Sequence, residues 1–130
     1  KPSGFKHNSI PTGVKGLRIL AEKTNAFTPT FTLDASEFTV TGLEKYDAII
    51  FNKITHVQKA FTEESQGEAI LNFIKDGKGF IGFHSASDGG MSQWQEYTYM
   101  IGGCFAGHPW NAGGKWPFLS KMSTIRKSSI

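Results

Sequence analysis

Apolar residues recur at helical spacing in three stretches of the chain and form short, nearly unbroken runs in two others. Val14, Leu17, Leu20 and Ala21 fall at i, i+3, i+6 and i+7, which is one face of a helix. Ser9 is placed to cap that helix and Pro11 fits its first turn; the pattern stops near Thr24 and Asn25. Phe27, Pro29, Phe31 and Leu33 alternate with Thr28, Thr30 and Thr32, which predicts a strand with one buried face. Pro29 assigns it to a sheet edge or a strand start. Asp34 to Thr41 reads as loop. Tyr46 to Phe51 is a near-continuous apolar run after a polar turn and predicts a strand buried on both faces. Thr62, Glu63 and Glu64 open a second helix, with Thr62 as its cap and two acids in its first turn. Its buried stripe is Ala69, Ile70, Phe73 and Ile74, and Gly77 closes it. Gly79 to Phe83 is the next buried strand. Met91, Trp94, Tyr97, Thr98 and Ile101 mark a third helix that stops at Gly102 and Gly103.

Strands separated by helical patterns imply βαβ units, a parallel sheet and an α/β fold. Right-handed crossovers place the loops that follow the strands along one edge. In open α/β sheets that carboxyl edge is where ligands bind.

Composition narrows the classes. The chain has 130 residues, room for one domain, and its apolar content of 38% becomes roughly 48%, an ordinary globular value, when Gly is counted and Tyr is not. Its longest apolar run, Ala48 to Phe51, is far short of the roughly 18 residues of a membrane span. The single cysteine, Cys104, excludes an internal disulfide framework and a Cys-only metal site. No pattern of basic residues, apolar core and small residues opens the sequence. The net charge of +3 is uneven. Up to Glu96 there are ten basic and eleven acidic residues; after it come only Lys115, Lys121, Arg126 and Lys127. These four are scattered, and no nucleic-acid-binding motif accompanies them. A solvated basic tail is the reading adopted.

The strongest local feature is Gly82-Phe83-His84-Ser85-Ala86, where a buried strand ends and a helix is about to begin. Small residues around a central reactive one give the shape of a nucleophile elbow, which projects the central side chain above the sheet edge. A histidine there suits a general acid/base or a metal ligand. His7, just before the first helix, and His108, in the loop after the third, lie in similar settings. Three neutral imidazoles that converge would make a catalytic zinc site; the alternative is three unrelated histidines, each bonded locally. His56 has no such context and reads as a loop histidine. Asp88 is placed to orient His84 or accept sugar hydroxyls, or else to cap the third helix. Trp94 and Tyr97 are either stacking platforms for a sugar ring or core. Cys104 follows a glycine pair with no elbow and reads as a small buried thiol. The glycines form no phosphate-cradling loop, so no nucleotide cofactor is expected.

Gly4-Phe5-Lys6-His7-Asn8-Ser9-Ile10 resembles the N-terminal motif of the ThuA-like, or trehalose-utilisation, family. Leu43 to Asp47, Gly77 to Asp88, and then Trp94, Tyr97, Ile101-Gly102-Gly103, Phe105 and Gly107-His108-Pro109 continue the resemblance in order. It implies a flavodoxin-like doubly wound parallel sheet, similar to class I glutamine amidotransferases. In those enzymes the elbow carries Cys; here His84 stands there, so glutaminase chemistry is not implied. The resemblance implies carbohydrate catabolism through keto-sugar intermediates, with His7, His84 and His108 sharing a pocket. The family places a strand before the first motif and an acidic segment after Trp110-Asn111. The resemblance therefore implies a domain over residues 1–112, incomplete at both ends, and an atypical basic tail over 113–130.

Three readings follow. The first is an enzyme cleaving a keto-disaccharide or other glycoside, with His84 and Asp88 catalytic. Ser85, Trp94, Tyr97 and Trp110 would bind substrate, and His7, His84 and His108 would hold a divalent metal such as zinc. The second is a non-catalytic carbohydrate-binding module using Trp94, Tyr97 and Trp110. The third is an amidohydrolase acting through Cys104. The partner expected is a small carbohydrate, not nucleic acid or membrane. Unpaired sheet edges would favour a homo-oligomer.

Overall fold

The computed structural model describes residues 6–88 and 94–108. Helix α1 (Ile10–Thr24) is followed by a 3-10 turn at Ala35–Glu37 and the single-turn helix α2 (Val40–Leu43). Strand β1 (Ala48–Asn52) then leads through a 3-10 turn at Val57–Ala60 into helix α3 (Glu64–Lys75). Strand β2 (Gly79–Phe83), a 3-10 turn at His84–Ser87 and helix α4 (Gln95–Ile101) complete the order. β1 and β2 pair in parallel, Ala48 beside Gly79 through Asn52 beside Phe83, with α3 as the crossover. This is the α/β organisation with a parallel sheet that the apolar pattern implies. Among the described residues no helix is long and apolar enough to cross a membrane.

Local chemistry explains the element ends. Pro11 sits in the first turn of α1, and Asn25 closes that helix in the left-handed region at φ 50. The N-cap of α3 is Glu63, one residue later than the predicted Thr62. The reason is Gln66, whose side-chain oxygen accepts from the N–H groups of both Thr62 and Glu63 at 2.9 and 3.2 Å. Gln66 is itself buried, and its amide donates to the Ala35 carbonyl at 2.8 Å, so its polar atoms are used. Gly77, at φ 87, and Gly102, at φ 86, follow α3 and α4 in a conformation that glycine adopts without steric cost.

One face of the sheet makes the core. Ile49 and Phe51 of β1 pack with Leu43, Val57, Ala69, Ile70, Phe73, Ala86 and Tyr97. Phe51 is the centre of an aromatic cluster, with the rings of Phe80, Phe38 and Tyr97 at 5.1, 6.1 and 6.2 Å. The opposite face is thinly covered. β1 is buried at alternate positions, and β2 has only Phe80 half-buried while Ile81 and Phe83 are exposed. The expectation of two strands buried on both faces is therefore corrected. Among the described residues the sheet has two strands, so β2 lacks a neighbour on its far side. α1 likewise buries only Ala21 fully, and Leu20 on its predicted face is exposed.

The predicted strand over Phe27 to Leu33 is not formed. It has no pairing partner, Pro29 brings no N–H, and the Thr32 hydroxyl accepts from the Asp34 N–H at 2.9 Å to make a local turn. The segment lies back along α1 instead, with the Arg18 guanidinium 5.2 Å from the Phe31 ring centre. The predicted loop from Asp34 to Thr41 contains the 3-10 turn and the start of α2. Thr39 caps α2 by accepting from the Gly42 N–H at 3.0 Å.

Phe51→Ala is expected to destabilise the chain by about 3–5 kcal/mol in urea unfolding, because it empties the middle of the aromatic cluster. Leu33→Ala, at a position 94% exposed, should stay within about 0.5 kcal/mol of the parent. Equal losses from the two would put the core elsewhere.

Candidate functional site

The parallel register brings both strands to the same level at their carboxyl ends, Asn52 beside Phe83. The next residue in each chain segment turns sharply: Lys53 has φ 61 and His84 φ 56. A non-glycine residue in this region costs on the order of 1–3 kcal/mol and is held there by its surroundings. Lys53 is held by its own N–H, which donates to the Phe83 carbonyl at 3.2 Å. His84 is held by the tight turn around it. A Cβ at Gly82 would lie 3.0 Å from both the Ala86 Cβ and the Ile101 Cδ1, a tight contact that glycine avoids as the turn folds back. Beneath it, the fully buried Tyr97 hydroxyl donates to the Ala86 carbonyl at 2.7 Å. Burial pushes the Tyr97 hydroxyl well above its usual range, so it remains a donor. The His84 side chain is exposed at the end of this built turn.

A polar clamp brings α1 to the same place. The Asn52 amide donates to the Ile10 carbonyl at 3.1 Å, and the Lys53 ammonium donates to the Ser9 hydroxyl and carbonyl at 2.7 and 3.3 Å. A Cβ at Gly13 would sit 2.6 Å from the Asn52 side-chain oxygen, so α1 approaches the strand end through its glycine. The Ile10 N–H in turn donates to the His7 carbonyl at 3.2 Å. The His7 ring consequently stands against the His84 ring, edge to face, with centres 4.6 Å apart. Beside the pair is a cleft of about 360 Å³ lined by Gly13, Gly16, Leu17, Asn52, Lys53, Phe83 and His84. Desolvation, then the charges of His84 and Lys53, lower the His7 pKa below its ordinary 6.5. At neutral pH His7 is thus an uncharged imidazole, able to accept a proton.

The other candidates are placed as follows. Asp88 does not cap α4, whose N-cap is Trp94; its carboxylate accepts from the His56 N–H at 3.3 Å and its carbonyl from the Val57 N–H at 3.2 Å. Asp88 therefore ties the loop after β1 to the turn after β2. The Ser85 hydroxyl is buried without a hydrogen-bond partner among the described residues. Tyr97 is core, stacked on Trp94 at 4.6 Å, and has no surface to offer a sugar ring. Trp94 lines a separate cleft with Phe61, Gly67 and Leu71, whose lining shares no residue with that of the His84 cleft. Cys104 is half-buried, its thiol 3.8 Å from the Phe105 carbonyl. Trp110 lies outside the described residues.

His108 is exposed, with its ring 5.6 Å from Phe105. Its segment returns toward the elbow, since the Phe105 N–H donates to the Ser87 carbonyl at 3.0 Å. Among the described residues no group of three or more His, Cys, Asp or Glu side chains could hold a metal ion. Of the three histidines, His7 and His84 meet, and His108 stands against Phe105 instead.

The trehalose-utilisation family profile, ThuA, matches residues 1–127. The chain belongs to the ThuA family. Membership makes it a protein of trehalose-related carbohydrate metabolism. The match extends across the boundary expected at residue 112 and through most of 113–130, a stretch outside the described residues. No curated protein and no solved structure matches the chain.

Sequence reasoning on this ThuA-family chain missed Asn52 and Lys53, and read His56 as the loop residue it is. Asn52 ends β1 and Lys53 follows it at φ 61; among the described residues four non-glycine positions have positive φ, Lys53 and His56 among them. Nothing in a lone Asn-Lys pair announces such backbone. The available signal was position: the first residues beyond a predicted parallel strand lie on the ligand-binding edge.

The His7 charge environment gives a pH prediction. In a histidine-resolved NMR titration, His7 should titrate below 6.5, and either His84→Ala or Lys53→Met should move its midpoint upward. Because folding disfavours protonated His7, its contribution to stability is complete above pH 6.5 and is lost as pH falls through the lowered value. A midpoint at or above the ordinary value would contradict the placement of His7.

Proposed function

We propose that the chain cleaves a keto-disaccharide or other oxidised glycoside, with His7 and His84 as an acid–base pair. The observation that carries this reading is the 4.6 Å pairing of an uncharged His7 with a His84 held at φ 56 on the carboxyl edge of the sheet. Membership of a trehalose-utilisation family supports a sugar as the substrate class.

The lowered proton affinity of His7 assigns it the base role and leaves the acid role to His84. A carbonyl on the sugar acidifies the hydrogens on the adjacent carbon. Neutral His7 accepts one of these protons. The electron pair moves toward the anomeric carbon, the glycosidic C–O bond breaks, and protonated His84 donates its proton to the departing oxygen. The products are an unsaturated keto-sugar and a free alcohol, and addition of water to the former completes net hydrolysis. One imidazole ends protonated and the other neutral, so proton exchange with solvent resets the pair. Lys53 and Asn52 keep the two rings together by fastening α1 to the strand end.

His84→Ala and His7→Ala are each expected to reduce turnover of a 3-keto-disaccharide by about 10²–10⁴-fold while the circular dichroism spectrum stays that of the parent. Phe105→Ala, which alters the ring against His108, should have a much smaller effect. Full turnover in both histidine variants would sink the reading. Binding of the sugar without products would favour a carbohydrate-binding module.

A further inference from the structure

We propose that the cleft beside His84 takes an anionic group of its ligand, a carboxylate or a phosphate, through Lys53. The inference rests on the reading above that this cleft is the site, and it names the substrate class more narrowly.

Among the lining residues of the cleft Lys53 carries the charge. Lys53 and His84 line it, and His7 stands against His84. None of the seven lining residues is acidic. The acid nearest in sequence, Asp88, is engaged with the His56 N–H. The N-terminal end of α1, a 15-residue helix, adds the partial positive charge of its dipole, and its first turn carries no acid. The Ser9 hydroxyl does not cap that end, because it accepts from Lys53.

Lys53 is also built to reach a ligand. An ammonium has three N–H donors. Two are accounted for by the Ser9 hydroxyl and carbonyl, which leaves one for a ligand. The strained backbone at φ 61 and the bond from Lys53 N–H to Phe83 fix where the side chain starts. A half-buried cation, held at both ends and with no carboxylate partner among the described residues, suits an anionic oxygen better than a neutral hydroxyl.

The test follows the ring signals of His7 and His84 in the full chain during titration with D-glucuronate, glucose 6-phosphate, inorganic phosphate and neutral glucose. Glucuronate or a phosphate should shift both signals saturably at low salt, at least about tenfold more tightly than glucose, and added salt should weaken the effect. Response to glucuronate alone assigns a sugar carboxylate; response to the phosphates alone assigns a phosphate. Lys53→Met should lose about tenfold or more in affinity, and Lys53→Arg, which keeps the charge and the clamp, should retain binding. Glucose binding as tightly as every anion, or Lys53→Met binding like the parent, would overturn the proposal. Because the readout is binding, this result is separate from whether the histidine variants lose turnover.

Discussion

The parallel register of β1 with β2 is the constraint on which the rest depends. Because Asn52 lies beside Phe83, the residues that follow, Lys53 and His84, emerge at one level. A one-residue slip in either strand would exchange its two faces. Phe51 would leave the aromatic core, and the clamp from Asn52 to Ile10 would break. Register here therefore does two things with one set of residues. It buries Phe51 against Phe80 and Tyr97, and it sets the cationic residues beside α1. The core face and the site face are the two sides of the same five paired residues.

Strain and packing are linked at this edge. His84 and Lys53 occupy backbone regions that oppose folding, and the compensation is local. The buried Tyr97 hydroxyl supports the turn after β2 through the Ala86 carbonyl. Asp88 and Phe105 fasten the same turn to the loop after β1 and to the segment after α4. Tyr97 thus serves the site without touching its cleft, which is the structural sense of an aromatic residue that otherwise resembles a sugar platform.

Much of this was legible in the sequence, and the missing part has a physical cause. Apolar spacing located α1, β1, α3, β2 and α4, and small residues around His84 marked the elbow, because these signals are local. The predicted strand at Phe27 to Leu33 failed because alternation states only which side chains could share a face; a strand exists when its backbone finds a partner. The burial of Phe83 was misjudged for the same reason, since coverage of a strand face depends on neighbours that its own residues do not encode. The meeting of His7 with His84 was left open by spacing alone. It depends on Asn52 and Lys53 bonding to Ile10 and Ser9, a tertiary contact spanning more than forty residues.

The clamp also explains why histidine serves at this elbow. A nucleophilic Cys or Ser needs a nearby base to remove its proton. Here the group brought alongside is a second imidazole, whose affinity for a proton is lowered by desolvation and then by the His84 and Lys53 charges. Two like groups 4.6 Å apart resist being charged together, so the pair takes up a second proton less readily than a first. When such a pair holds one proton it presents an acid and a base at once. The meeting of the two rings is thus set by the fastening of α1 to the end of β1, not by either histidine alone.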